Sequence, residues 1–186
     1  MPRPARIDRP AVVGAALAIA DRDGLAAITM QAVARRLEVT PMALYRHVAD
    51  KDDLLDALVE RLLGEVDVPP PDLPWPERLA HLGRSMRAVA RRHPAVFPLL
   101  LQRPAATDAA RATRDQVVAA LVDAGASKAT AARLERVVAS AILGFAASEA
   151  TGRFREHSSA TVDADYAVLE RMIRSGLEAE VRDARR

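Results

Sequence analysis

Residues 29–51 combine side chains that can donate hydrogen bonds or carry positive charge with two short helical patterns. Thr40, Pro41, Met42 and Ala43 open the second of these patterns. Tyr45, Arg46 and His47 follow, with Lys51 just beyond. Small and hydrogen-bonding groups at a helix start suit a nucleic-acid surface. A helix entering the major groove by its N-terminus brings its first turn against base edges, while Tyr, Thr and Lys side chains reach the flanking phosphates. The plainer reading makes Tyr45 and His47 half-buried packing residues of an ordinary helical hairpin.

Other polar residues offer little chemistry. His81 and His93 stand twelve positions apart, far from the i, i+4 spacing that puts two imidazoles on one helix face. Ser85 lies one helical turn after His81, yet no Gly-rich nucleophile turn surrounds it and no acid orients the imidazole. The 8 glycines form no phosphate-binding loop, and the absence of Cys removes disulfides, thiolate metal sites and cysteine nucleophiles. Asp53, Asp56 and Glu60 share a helix face without a His among them and are read as a solvated face. No catalytic residue, metal or cofactor is expected, and the chain is not read as an enzyme.

The elements that must position residues 29–51 follow from caps and periodicity. Asp8 caps a first helix from about Arg9, with Pro10 in its first turn, an apolar face built on Val13 and Leu17, and Gly24 at its end. Thr29 caps a short helix that buries Val33 and Leu37. Thr40 caps the next, over 41–48, with Pro41 at the first helical position, where its missing N–H costs nothing. Leu44 and Val48 face inward. Two short helices joined by a tight turn form a helix-turn-helix, and the first helix covers them, since a pair alone cannot close a core. Asp50 then caps a connecting helix over 51–65, whose Asp52 and Asp53 suit the positive end of the helix dipole. Arg3, Arg6 and Arg9 are read as a loose, solubilising end.

Residues 66–77 carry five prolines and mark a domain boundary. A helix beyond it carries Leu79, Leu82, Met86 and Val89 and stops at Pro94; a short helix runs over 94–101; Pro104 breaks the chain. A helix over 105–124 closes at Gly125, and Ser127 caps one over 128–151 with Leu134, Val137, Val138, Ala141, Ile142 and Phe145 at helical spacing. Ser140, Gly144 and Ser148 repeat every four residues beside that stripe and let another helix approach closely. Residues 152–159 form a loop. Val162, Tyr166, Leu169, Ile173 and Leu177 make a last amphipathic stripe before a charged tail, 178–186.

Residues 28–58, ITMQAVARRLEVTPMALYRHVADKDDLLDAL, resemble the N-terminal domain of the tetracycline-repressor (TetR) family of bacterial transcription regulators, including Tyr45, the His47-Val48 pair, Lys51 and the Leu54-Leu55 pair. The resemblance implies that Tyr45, His47 and Lys51 meet the DNA backbone. It places Gln31, Thr40, Pro41, Met42, Ala43 and Arg46 nearest base edges, and Thr29 completes the DNA-binding set. Glu38 departs from the pattern: the family usually has Gly at this turn, where the chain takes a positive φ that costs a residue with a Cβ roughly 1 kcal/mol.

The runs RHPAVFPLLLQRP and ILGFAASEA resemble, more loosely, the regulatory domain of the tetracycline-repressor branch. By that resemblance the helices from Trp75 onward enclose a pocket for a small-molecule effector. Candidate lining residues are Trp75, Leu79, Leu82, Met86, Phe97, Leu101, Val117, Leu121 and Phe145, with His81, Ser85, Arg103 and Gln116 as polar contacts. The last two long helices pair with their copies in a four-helix dimer interface through Val137, Ala141, Ile142, Gly144, Phe145, Tyr166, Leu169, Ile173 and Leu177. In that branch a His five residues before the Pro of the Arg-Pro pair binds a metal–tetracycline chelate. Leu99 holds the position here and cannot ligate Mg²⁺, so the effector is another molecule.

At 186 residues and 50% hydrophobic composition the chain can bury a substantial core. The formal net charge is only +2, so any nucleic-acid surface must be local. Within residues 29–51, Arg35, Arg36, Arg46 and Lys51 do outnumber Glu38 and Asp50. No apolar run follows the basic, Pro-rich N-terminus, and none reaches bilayer length. The expectation is an all-α, cytoplasmic homodimer on palindromic double-stranded operator DNA, a repressor released when a small molecule tilts the connecting helix. Its parts are an N-terminal arm and helix-turn-helix head over 1–50, the connecting helix over 51–66, and a helical effector-binding and dimerisation body over 67–186. The alternative is a helical interaction or enzyme domain in which the helix-turn-helix is only structural.

Overall fold

Four of the expected N-caps form as the residue types dictate. Side-chain oxygens of Asp8, Thr29, Asp50 and Ser127 accept from Ala11, Ala32, Asp53 and Thr130 N–H groups at 2.9–3.1 Å. Each satisfies a backbone donor that a helix start leaves free. The structure, a computed structural model, describes residues 7–103 and 108–183. Arg3, Arg6 and the break expected at Pro104 lie outside the described residues.

The helices are α1 Arg9–Asp23, α2 Met30–Arg36, α3 Pro41–Leu44, α4 Lys51–Leu63, α5 Trp75–Arg92, α6 Leu99–Gln102, α7 Asp108–Asp123, α8 Lys128–Ala150 and α9 Ser159–Asp183, and no strand occurs among the described residues. The fold is all-α. Glu38 takes φ +57°, the left-handed conformation that its turn requires.

Three elements differ from expectation. Helix α3 is one turn long instead of running over 41–48, because the Leu44 carbonyl accepts from both His47 N–H (2.8 Å) and Val48 N–H (3.0 Å). That tightening ends the helix and turns Val48 into the core. The short helix expected over 94–101 becomes a turn followed by α6. Helix α9 runs on through most of the charged tail, because Val181 packs with Leu177, Leu121 and Leu134 in a small second core.

The main core is continuous from Val12 on α1, through Leu44, Leu58 and Leu62, to Phe97, Ile142 and Tyr166 in the body. Ion pairs reinforce the junction between head and body. Arg103, after α6, grips the first turn of α4 through Asp52 and Asp56, both at 2.6 Å. The buried His93 ring bridges Asp21 on α1 (2.9 Å) and Glu65 past the end of α4 (3.1 Å). Burial pushes the Glu65 carboxyl up, but hydrogen bonds from His93 and Arg92 outweigh it and the group sits below its ordinary value.

Deeper in the body, Arg87 on α5 is itself buried. It donates to both Glu149 oxygens (2.6 and 3.0 Å), reaches Asp163 at 2.8 Å and lies over the Tyr166 ring at 4.5 Å. Arg91 adds pairs to the same two carboxylates. The network ties α5 to α8 and to α9.

Candidate nucleic-acid interface and ligand cavities

The head is arranged so that its polar tip faces outward. Thr29, Gln31, Thr40, Pro41, Arg46 and Lys51 are exposed, as are Met42 (73%) and Tyr45 (47%), while Ala43 and His47 are half-buried. Leu44 and Val48, on the opposite side of the same turn, are buried completely or nearly so. Thr40 makes no cap hydrogen bond. Ala43 N–H, one of the two donors an N-cap side chain can reach, goes to the Thr40 carbonyl instead (2.9 Å).

Arg9 and Asp53 set the orientation of this tip. The Arg9 guanidinium donates to the His47 carbonyl (2.8 Å) and forks onto Asp53 (2.5 and 3.0 Å), which also accepts from Ala49 N–H (2.8 Å). Neither residue is free, so the loose end at Arg9 and the solvated face at Asp53 are both corrected: the first turn of α1 and of α4 clamp the loop after α3 between them. The Arg9 hydrogen bond, helped by that from Ala49, holds the Asp53 carboxyl down at about 2 despite partial burial.

Since the folded-state value lies below the ordinary carboxyl value of about 3.9, the clamp stabilises the head fully above about pH 4. That stability is lost as pH falls toward 2. Asp53→Asn should therefore lower stability at neutral pH by about 1–2 kcal/mol and show a smaller loss between pH 4 and pH 2 than the wild type. Paired urea melts at several pH values would show it; identical pH profiles would exclude the clamp.

Two of the cavities in the body lie between its long helices. The inner one, about 200 Å³, lies between α4, α5, α7 and α8 and is lined by Val59, Leu63, Leu79, Leu82, Gly83, Met86, Leu100, Arg114, Val117, Glu135, Val138, Ala139, Ile142 and Leu143 among others. The outer one, about 490 Å³, runs between α5, α8 and α9 past Trp75, Arg84, Tyr166, Glu170, Arg171, Ile173 and Leu177. Leu79, Gly83, Val138 and Ile142 line both. At Gly83 a Cβ would stand 2.9 Å from the Tyr166 hydroxyl, so only glycine permits this approach of α5 to α9. That hydroxyl is buried and has no hydrogen-bond partner among the described residues.

Of the expected pocket residues, Leu79, Leu82, Met86 and Val117 reach the inner cavity and Trp75 the outer one. The others line neither, for separate reasons. Phe97 and Leu121 are fully buried in the two cores, and Phe145 packs on Phe154 and Tyr166. Leu101 (54% exposed) and Gln116 face solvent, and Arg103 is held by α4. His81 and Ser85 hold Asp67 of the proline-rich segment, through its carboxylate (2.8 Å) and its N–H (2.7 Å), so an acid does orient the His81 imidazole, against expectation. Val59, Leu63, Glu135, Ala139 and Leu143 line the inner cavity and were not anticipated.

The expected dimer residues also divide. Ile142, Tyr166 and Leu177 are buried within the chain, and Leu169, Ile173 and Phe145 are half-buried against its core. Val137 (64% exposed), Ala141 and Gly144 border the other side of α8, where a Cβ at Gly144 would meet nothing within 4 Å. Among the described residues nothing fills the room beside Gly144, at the middle of the Ser140–Gly144–Ser148 stripe. On α9 the exposed large apolar residues are Val168 and Met172 (67%). Among the described residues no helix is long and apolar enough to cross a membrane, and no group of His, Asp and Glu is placed to hold a metal ion.

Comparison with known proteins agrees with this arrangement. Residues 12–58 match the family profile of bacterial regulatory proteins of the tetR family, and residues 79–176, more than half of the chain, match that of the tetracyclin repressor-like C-terminal domain. An HTH-type transcriptional regulator of Saccharopolyspora erythraea is 32% identical over 148 residues, which are 79% of this chain and 63% of the relative, so the chain spans under two thirds of that protein's length. The HTH-type transcriptional repressor DrrR1 of Streptomyces coeruleorubidus is 28% identical over 94% of this chain and 69% of its own. The crystal structure of BioQ with its natural double-stranded DNA operator superposes with a TM-score of 0.79 at 30% identity, covering 94% of this chain and 99% of that one. The exposed helix-turn-helix tip and the cavity-bearing helical body are thus those of a known class of transcriptional regulators: the chain belongs to the tetR family of bacterial regulatory proteins.

Proposed function

We propose that the chain is a cytoplasmic DNA-binding repressor that acts as a homodimer on a two-fold operator and is released by a small molecule bound in its body. The observation that carries this reading is the outward tip: Thr40, Met42, Tyr45, Arg46 and Lys51 are exposed together on a turn whose Leu44 and Val48 are buried. Support comes from relatives: BioQ was crystallised on its operator, and DrrR1 is named a repressor. In this assignment residues 1–50 are the head, 51–66 the connector and 67–186 the body. Tyr45, His47 and Lys51 hold phosphates, while Gln31, Thr40, Pro41, Met42, Ala43 and Arg46 lie at base edges and Thr29 at the rim of the contact.

One head covers one half-site, and a two-fold dimer presents two heads about one DNA turn apart, roughly 34–36 Å. The seam is the outer face of α8, from Val137 through Ala141 to Gly144, with Val168 and Met172 of α9. Release follows from the place of α4. Its Val59 and Leu63 line the inner cavity, while its first turn carries Asp53 of the head clamp and is gripped by Arg103. A ligand that favours a tilted α4 moves both heads out of register, and a coupling of about 1–3 kcal/mol lowers operator affinity about 5- to 150-fold.

The dimer is tested by Val137→Glu with Met172→Glu. Both side chains are exposed in the single chain, so the variant should stay folded while an apolar seam cannot accept unpaired charge. Sedimentation equilibrium should show dimers for the wild type and monomers for the variant, with operator affinity lost in parallel. A variant dimer of unchanged stability would place the seam elsewhere and remove this assembly.

A further inference from the structure

The inner cavity is apolar except for few groups, and the most buried of these is an acid. Glu135 is 8% exposed and lines the cavity beside Leu82, Met86, Val117 and Leu143. It occupies α8 amid Ala131, Leu134, Val138 and Ile142, on the helix's inward side, where spacing calls for an apolar residue. Its ion-pair partner among the described residues is Arg114, whose Nε stands 3.9 Å away at the limit of such a pair and whose side chain is half exposed. No hydrogen bond within the described residues reaches the Glu135 carboxyl. A carboxylate drawn this far from water needs donors, and a loose pair with a half-solvated guanidinium supplies little of that need.

Resting on the reading that the body binds an effector, we propose that the effector is a small amphipathic amine. Its apolar body seats on Leu82, Met86, Val117 and Leu143, and its protonated nitrogen donates to Glu135. The cavity, at about 200 Å³, is below the roughly 300–1,000 Å³ of sites for drug-sized ligands, so the occupant is of the order of one ring with a short chain. An anion in the same place meets the Glu135 carboxylate, and Arg114, the cation of the lining, is half exposed and turned to that acid. A neutral isostere fills the space and leaves the carboxylate without a donor.

The test uses three probes with the same ring and chain: 3-phenylpropylamine, 3-phenylpropan-1-ol and 3-phenylpropanoate, titrated calorimetrically into the whole chain. The wild type should bind the amine about tenfold or more tighter than the alcohol, the size of a charge-assisted hydrogen bond, and the carboxylate weakest of the three. Glu135→Gln, which keeps the shape, should erase that preference while leaving alcohol affinity near its wild-type value. Ala139→Phe, which fills the cavity, should abolish binding of both, with circular dichroism reporting that each variant is folded.

The proposal is overturned if the folded wild type does not bind the amine, if the alcohol or carboxylate binds as tightly, or if the preference survives in Glu135→Gln. Operator affinity is measured on the same preparations. Loss of the amine site with operator binding intact refutes this inference alone. Amine binding that leaves operator affinity unchanged removes the switch and keeps the site.

Discussion

Replacing Tyr45 and Lys51 together by alanine should lower operator affinity about 10²- to 10³-fold while leaving the head folded. Both side chains are exposed, and neither makes a hydrogen bond or ion pair within the described residues, so truncation breaks no polar contact of the fold. In a dimer the two substitutions delete four backbone contacts. At roughly 1 kcal/mol each they amount to about 4 kcal/mol, near the top of that range. The two residues should separate by salt. Lys51→Ala removes one charge per head, so the slope of log affinity against log salt should fall by about 1.8, at about 0.9 per neutralised phosphate. Tyr45→Ala should weaken binding with the slope unchanged, because a phenol releases no counterion. Fluorescence anisotropy at several salt concentrations measures both, and a wild-type slope in Lys51→Ala would remove that residue from the phosphate contacts.

The largest effect on stability is expected at Arg87. Arg87→Ala leaves Glu149, only 15% exposed, with Arg91 alone, strips Asp163 of one of two partners, and opens the face of Tyr166. Breaking a buried pair from one side costs about 3–5 kcal/mol, and with Arg91 still on Glu149 the lower end, about 3 kcal/mol, is expected, which lowers the melting temperature by roughly 6–12 °C. The loss comes from the stranded charge more than from a missing attraction. Arg87→Met combined with Glu149→Leu should therefore recover much of it, since replacing both partners by apolar groups is often neutral. Thermal denaturation of the single and double variants decides the point. A double variant no better than the single would mean that Asp163 and the aromatic stack, and not Glu149, set the cost.

Much of this was legible in the residues, and the failures have physical causes. Caps are local chemistry, so Asp8, Thr29, Asp50 and Ser127 mark their helices correctly. Thr40 marks the start of α3 without a side-chain cap bond, because its own carbonyl takes the Ala43 N–H. Periodicity finds an apolar face but does not say what that face meets. Helix α8 is apolar on two sides, so Ile142 and Val137 read alike; one is 8% exposed in the core and the other 64% exposed. The same ambiguity mixes Leu82, which borders a cavity, with Phe97, which is plain core. Long-range ion pairs leave no local mark at all: nothing near Arg9 points to Asp53, and nothing near Arg103 points to Asp52 and Asp56. Glu135 did leave one, an acid amid the inward-facing residues of α8.

The central claim, that the exposed tip reads duplex DNA as one half of a two-fold assembly, is tested most directly by selection from a random duplex library at near-physiological salt. The account predicts enrichment of an inverted repeat whose half-site centres stand about one helical turn apart, 10–10.5 base pairs, or a whole multiple of it. It also predicts that the chain carrying Val137→Glu and Met172→Glu fails to enrich it. No enriched sequence, or an enriched site without two-fold symmetry that the monomeric variant binds equally well, would contradict it.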